Sequence, residues 1–177
     1  MKNNYVKTIV YTAVIAAIYT ALSVALAPIS YGPVQFRISE ALTLLPVLTP
    51  LAIPGLTLGC FLSNLIGMLM GANPVGWIDM IVGTAATLLA AIVSWALRRY
   101  RIKTVPVLAA LPPVIFNAVM VGLELTFLFG GKWYLNMLSV GFGELVVCFV
   151  LGLPLVIALE RTGLAKKLFS TGPKKQD

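Results

Sequence analysis

Arg37 and Glu40 stand three residues apart in Tyr31-Gly32-Pro33-Val34-Gln35-Phe36-Arg37-Ile38-Ser39-Glu40, a polar stretch between segments that are otherwise almost wholly apolar. At that spacing on a helix they can pair, or both can reach one ligand. Glu124, Glu144 and Asn117 fall inside long apolar runs, and Asp79 opens another. An ionisable group within such a run costs about 2.5 to 3.5 kcal/mol on insertion scales, so each needs a reason. One reason is a pocket in which carboxylates, a guanidinium and an amide hydrogen-bond a small polar solute, with Gln35, Phe36, Trp77 and Tyr134 near its mouth. The other is structural: Arg37-Glu40 as an interfacial salt bridge, Glu144 as a protonated and hydrogen-bonded carboxyl, Asp79 as a helix cap.

Catalysis finds no support in these residue types. The chain has no histidine, so the usual acid, base and zinc ligand is missing. Cys60 and Cys148 lie in apolar runs, each without a second cysteine nearby, and read as small packing residues; there is no disulfide framework and no metal-ligand spacing. A Gly-x-Ser-x-Gly nucleophile and paired aspartates are absent. So is a Gly-x-x-x-x-Gly-Lys phosphate loop, so this chain does not hydrolyse ATP. No cofactor or metal is implied.

The elements that must hold these groups are membrane spans. Of 177 residues 59% are hydrophobic and 11% charged, with a mean hydropathy of +0.96, whereas about a quarter of a soluble domain is charged. At about 20 residues per span the length predicts one all-α domain of six transmembrane helices, near residues 5–27, 39–53, 56–70, 79–97, 105–129 and 134–159. The first apolar run is too long for a signal-peptide core of about 7 to 15 residues and reads as a retained span. Net charge is +7 and the pI about 9.7, which on a soluble protein would suggest nucleic acid. Here the cations gather at Lys2 and Lys7, at Arg98-Arg99-Tyr100-Arg101-Ile102-Lys103, and from Arg161 to Lys175. Only Arg37 and Lys132 fall in the opposite set, so the positive-inside rule predicts both termini in the cytoplasm.

Each span has its own local signals. Ala13, Ala17, Ala21 and Ala25, with Ala16 and Thr20 beside them, make one face of the first nearly flat, fit for close approach by a neighbouring helix inside or outside the chain. Pro46, Pro50 and Pro54 predict a kinked or partly unwound second span, which survives at membrane depth only if buried or lining a cavity. Pro54-Gly55 reads as a tight turn. Gly55, Gly59, Ser63 and Gly67 form a second small-residue face, with Asn64 beside it. Ser39 and Asp79 are expected helix caps, 71–77 an outer loop, and the tail from Glu160 a frayed basic end. At about 1.5 Å per residue from the outer ends, Glu124 lies about 7 Å down, Glu144 about 15 Å and Asn117 about 18 Å. Asn117 and Glu144 are therefore expected to meet, with Glu124 above them.

The run from Tyr31 to Pro46 resembles the signature of the QueT family, and the similarity extends from Tyr5 to about Arg161. These are substrate-binding S components of energy-coupling factor (ECF) transporters, linked to queuosine precursors. The resemblance implies a 7-deazaguanine ligand such as preQ1, preQ0 or queuine, with cobalamin, a flavin or a pterin as alternatives. It implies a coupling membrane protein and two cytoplasmic ATPase subunits as partners, met through the alanine face. It also implies a prokaryotic cell membrane. On its own residues, Gly32-Pro33 reads as a turn and 31–40 as a lid over the pocket. A stand-alone ion-coupled carrier and an intramembrane enzyme are the readings from other classes.

Overall fold

The computed structural model describes residues 2–31 and 36–169. The turn expected at Gly32-Pro33, the site residue Gln35 and the end of the basic tail lie outside them. Among the described residues the chain is helical, with a single isolated bridge, Ile102 to Val105, in place of any strand. Five segments of the described residues are long and apolar enough to cross a membrane: Tyr5–Ala25, Ala52–Leu69, Trp77–Leu97, Val107–Phe129 and Trp133–Arg161.

The first belongs to α1, Lys2–Ala25, which is followed by the short α2, Ala27–Ser30. The expected second span is a 3-10 helix, Ile38–Val47. Ten residues at about 2.0 Å each reach roughly 20 Å, short of a hydrocarbon core of about 30 Å. Pro46 lies inside it and Pro50 just beyond, where the missing donors end regular helix. As irregular backbone in an apolar bundle must be, it is buried along most of its length. It packs on α1, on α3 (Ala52–Leu69), on α4 (Trp77–Leu97), and on the last transmembrane segment. Leu44 and Leu45, adjacent in sequence, feed two different apolar clusters. The 3-10 helix is therefore the middle of the bundle.

Around it, α1 packs on α3, α3 on α4, α4 on α5 (Leu111–Phe129), and α5 on α6 (Trp133–Val146). Pro112 and Pro113 occupy the first turn of α5, where no N–H is needed. After α6 the backbone is π-helical over Val147–Gly152 and returns to α in α7, Leu153–Arg161. Pro154 has no N–H to give the carbonyl four residues back, which accounts for the slipped register. Gly152 sits where a Cβ would meet Leu44 Cδ1 at 2.6 Å and Ala41 O at 3.1 Å, so a glycine lets this turn lie close against the 3-10 helix.

Several local expectations are corrected. Pro54-Gly55 is not a turn but the first turn of α3, which proline tolerates. Asp79 does not cap α4, which begins at Trp77 behind Gly76 at φ +71°. Ser39 caps nothing either, because its hydroxyl bonds Ser23 Oγ at 2.6 Å. The described chain beyond Glu160 is helical rather than frayed: Glu160 accepts from both terminal guanidinium nitrogens of Arg101 at 2.7 and 2.8 Å, pushing the Arg101 pKa up, and α8, Leu164–Phe169, brings Phe169 to 5.8 Å from the Tyr11 ring.

Candidate functional site

The two small-residue faces have different fates. On α3, Gly55, Gly59, Ser63 and Gly67 are buried, and Cβ atoms on the first two would lie 2.9 Å from Ile15 and 2.8 Å from Tyr19. Thr20 adds a hydrogen bond to Gly59 O at 3.1 Å. This approach brings the polar face of α1 against α3 and the 3-10 helix, and leaves Ala13, Ala17, Ala21 and Ala25 exposed on the opposite side. Tyr19 is thereby carried into the bundle with no exposure.

There it meets Glu40. The Tyr19 hydroxyl donates to Glu40 Oε1, which also accepts from Thr87 Oγ1 at 3.5 Å. Arg37, three residues earlier, goes elsewhere. It stands outside the 3-10 helix as its N-cap residue, with φ −80° and ψ 88°, and its Nη2 pairs with Asp79 Oδ2 at 3.1 Å. The anticipated Arg37-Glu40 pair is therefore replaced by Arg37-Asp79. Asn73 Nδ2 donates to the same Asp79 oxygen at 2.8 Å, Asn64 Nδ2 to the Asp79 carbonyl at 2.8 Å, and the Tyr31 ring lies 5.4 Å from the guanidinium carbon. Gly83 gives Asp79 its room: a Cβ there would collide with Asp79 Oδ1.

Glu144 closes the cluster from α6. It is 4% exposed, lies within electrostatic reach of Glu40 and Arg37, and is approached by the Cys148 thiol at 3.9 Å. The same sulfur is 3.9 Å from the Glu40 carbonyl, so the π-helical turn ties the two carboxyl-bearing segments together. Glu124, 6% exposed on α5, lies within electrostatic reach of Asp79 and Arg37. Four carboxyls and one guanidinium from four elements thus occupy one buried region.

Its members do not saturate one another. Arg37 Nε, Glu40 Oε2, Asp79 Oδ1, Asn64 Oδ1 and both oxygens of Glu124 are buried without a hydrogen-bond partner. Unpaired buried polar atoms are costly and rare in folded chains. Six in one region of an apolar bundle can grip a polar solute that supplies both donors and acceptors. No group of three His, Cys, Asp or Glu residues among those described is arranged to hold a metal ion.

Other anticipated residues fall outside this cluster. Asn117 is buried but turns its amide onto its own helix, donating to Pro113 O at 3.0 Å, so it and Glu144 are not hydrogen-bonded to each other. Phe36 is half-buried, edge-on to Phe142 at 6.2 Å. Trp77 and Tyr134 are exposed at the rim, the latter edge-on to Trp133. Sequence reasoning missed Tyr19, Asn73 and Thr87. For Tyr19 a signal existed: with Ser23 four residues on, it puts hydroxyls on the α1 face away from the alanines.

Residues 9–161 match the family model described as QueT transporter. The chain belongs to the QueT transporter family. A curated relative, the queuosine precursor transporter QueT of Lactococcus lactis subsp. cremoris (strain MG1363), is 38% identical over 90 residues. That alignment takes in 50% of this chain and 49% of the relative, so the chain spans about half the length of the curated relative it matches. No solved structure matches. QueT proteins are transporters rather than enzymes, and the five apolar helices make this one a multi-pass membrane protein. Within the QueT match lie all five ionisable members of the buried cluster.

Proposed function

We propose that this chain is the substrate-binding S component of an ECF uptake transporter in a bacterial cell membrane, taking up a queuosine precursor of the 7-deazaguanine class. Family membership and the name of the Lactococcus relative support the class of solute. The observation that carries the reading is the buried cluster of Arg37, Glu40, Asp79, Glu124 and Glu144, whose unpartnered atoms include both donors and acceptors.

A 7-deazaguanine presents two adjacent donors on its Watson-Crick edge, acceptors beside them and a flat face, as guanine does. Glu40 is the carboxyl best held to accept from that edge, with Tyr19 and Thr87 fixing Oε1 while Oε2 stays unpartnered and open to a donor of the solute. Arg37 Nε is the matching donor for an acceptor on the ring. Glu144 and Asn117 stand deeper, and the segment from Tyr31 to Glu40, including Gln35 and Phe36, acts as the lid, with Trp77 and Tyr134 at its rim.

The pocket opens outward and both termini lie in the cytoplasm, as the basic turn 98–103 and the basic C-terminal end favour. The chain lacks a phosphate loop, so the driving force comes from two ATPase subunits through a coupling membrane protein. That partner meets α1 through Ala13, Ala17, Ala21 and Ala25, an exposed and nearly flat face.

Titration of the detergent-solubilised protein with 7-deazaguanines and with a corrinoid, followed by tryptophan fluorescence, tests the reading. Saturable binding of the deazaguanines alone is expected. Binding of the corrinoid alone would assign another solute, and uptake by this chain alone in ATP-free vesicles would make it an ion-coupled carrier.

A further inference from the structure

The buried cluster is electrically lopsided. Glu40, Asp79, Glu124 and Glu144 carry carboxyl groups, and Arg37 alone carries a positive charge. Arg37 is matched by Asp79 at 3.1 Å. Glu40 has Tyr19 and Thr87, and Glu144 has the Cys148 thiol. Glu124 has none of these, since both its carboxylate oxygens lack a hydrogen-bond partner although the residue is more than nine-tenths buried.

Asp79 Oδ1 is a third carboxylate oxygen of the cluster without a hydrogen-bond partner. Ionised carboxylate oxygens only accept, so a further acceptor on the solute does nothing for them. A neutral N–H satisfies one oxygen and leaves the charge. An ammonium brings three donors and the missing positive charge together, and charge-assisted bonds of this kind are about twice as strong as neutral ones. A small metal cation is a poorer match, because no three acidic or sulfur ligands converge among the described residues. Position agrees as well. Glu124 is five residues from the end of α5 and Asp79 is in the first turn of α4, so both stand nearer the rim than Glu144, eleven residues into α6.

We propose that Glu124 is a specificity-determining subsite that receives a protonated amine carried by the solute. The inference rests on the pocket being the substrate site. It divides the 7-deazaguanines into two groups: those with an alkylamine substituent, which fill the subsite, and those without one, which leave Glu124 buried and unpaired.

The test compares two ligands on the full chain in detergent, a 7-deazaguanine bearing an aminomethyl group and one bearing a nitrile at the same carbon. The wild-type protein is expected to bind the amine at least about tenfold more tightly. Glu124→Gln should bring the ratio of the two dissociation constants close to one, and Glu124→Asp should keep its sign. Equal binding of the two ligands to wild type, or an undiminished ratio in Glu124→Gln, overturns the inference while leaving the 7-deazaguanine reading intact. Failure of both ligands to bind overturns that reading and this inference with it. Thermal melting monitors folding; if Glu124→Gln does not fold, the ratios in wild type and Glu124→Asp decide, and a ratio near one in both overturns the proposal.

Discussion

Arg37 reaches Asp79, 42 residues away in sequence, at 3.1 Å, and makes no ion pair with Glu40 three residues on. The reason is where regular structure begins. Ile38 is the first residue of the 3-10 helix, so Arg37 is still extended and projects toward α4, while Glu40 in the first turn faces α1. The pair ties the first connection to the start of α4, and Asn73 draws the 70–76 loop into the same knot.

Both partners are essentially buried, so the two single substitutions and the double should behave unlike a surface pair. Asp79→Ala leaves an unpaired guanidinium and should cost about 3 to 5 kcal/mol, whereas Arg37→Leu with Asp79→Leu should be less damaging than either single change. Thermal unfolding in detergent checks the order. A double mutant worse than both singles would contradict it.

Glu40 owes its orientation to Tyr19. Tyr19→Phe removes one donor from a buried carboxyl without opening a cavity; it should weaken solute binding by about tenfold and destabilise the fold by about 1 to 3 kcal/mol. Glu144→Ala should weaken binding by at least a similar factor while the protein still inserts. Calorimetric titration separates these effects from misfolding, and an unaltered affinity in either variant removes that residue from the site.

The contact between α1 and α3 has no slack at Gly59. A Cβ there would lie 2.8 Å from Tyr19 Cβ and 3.1 Å from the Ala16 backbone, neither of which is a flexible side-chain end. Gly59→Ala should therefore destabilise by about 1 to 3 kcal/mol. Because the strain falls on Tyr19, it should also weaken binding. Gly71→Ala, in open space but at φ +69°, isolates the cost of backbone strain alone.

Ala17 lies in the middle of the exposed alanine face. Ala17→Trp should abolish uptake in cells that supply the ATPase module and leave solute affinity of the isolated chain within about twofold. Transport at the wild-type rate would remove this face from the partner interface.

Much of this architecture was legible without coordinates because a bilayer constrains sequence so strongly. Long apolar runs had to be spans, and the four acidic side chains near or inside them had to be explained. The prolines at 46 and 50 announced a broken second segment, though not that it would be a 3-10 helix at the centre. What local signals misjudged were connections made by side chains. Asp79 and Ser39 are good caps by type, yet each found a stronger partner on another element. Asn117 has a depth suited to Glu144, but nothing in the periodicity of α5 says that its amide folds back onto Pro113.

Composition and the spacing of charges were enough to establish a membrane bundle that keeps buried carboxyls and has no catalytic or ATP-hydrolysing motif. The tertiary structure alone decided which carboxyl meets which partner, and which small-residue face is used inside the molecule. Helix periodicity specifies a face but not the element that covers it, and the pairing of charges depends on how several segments cross in space.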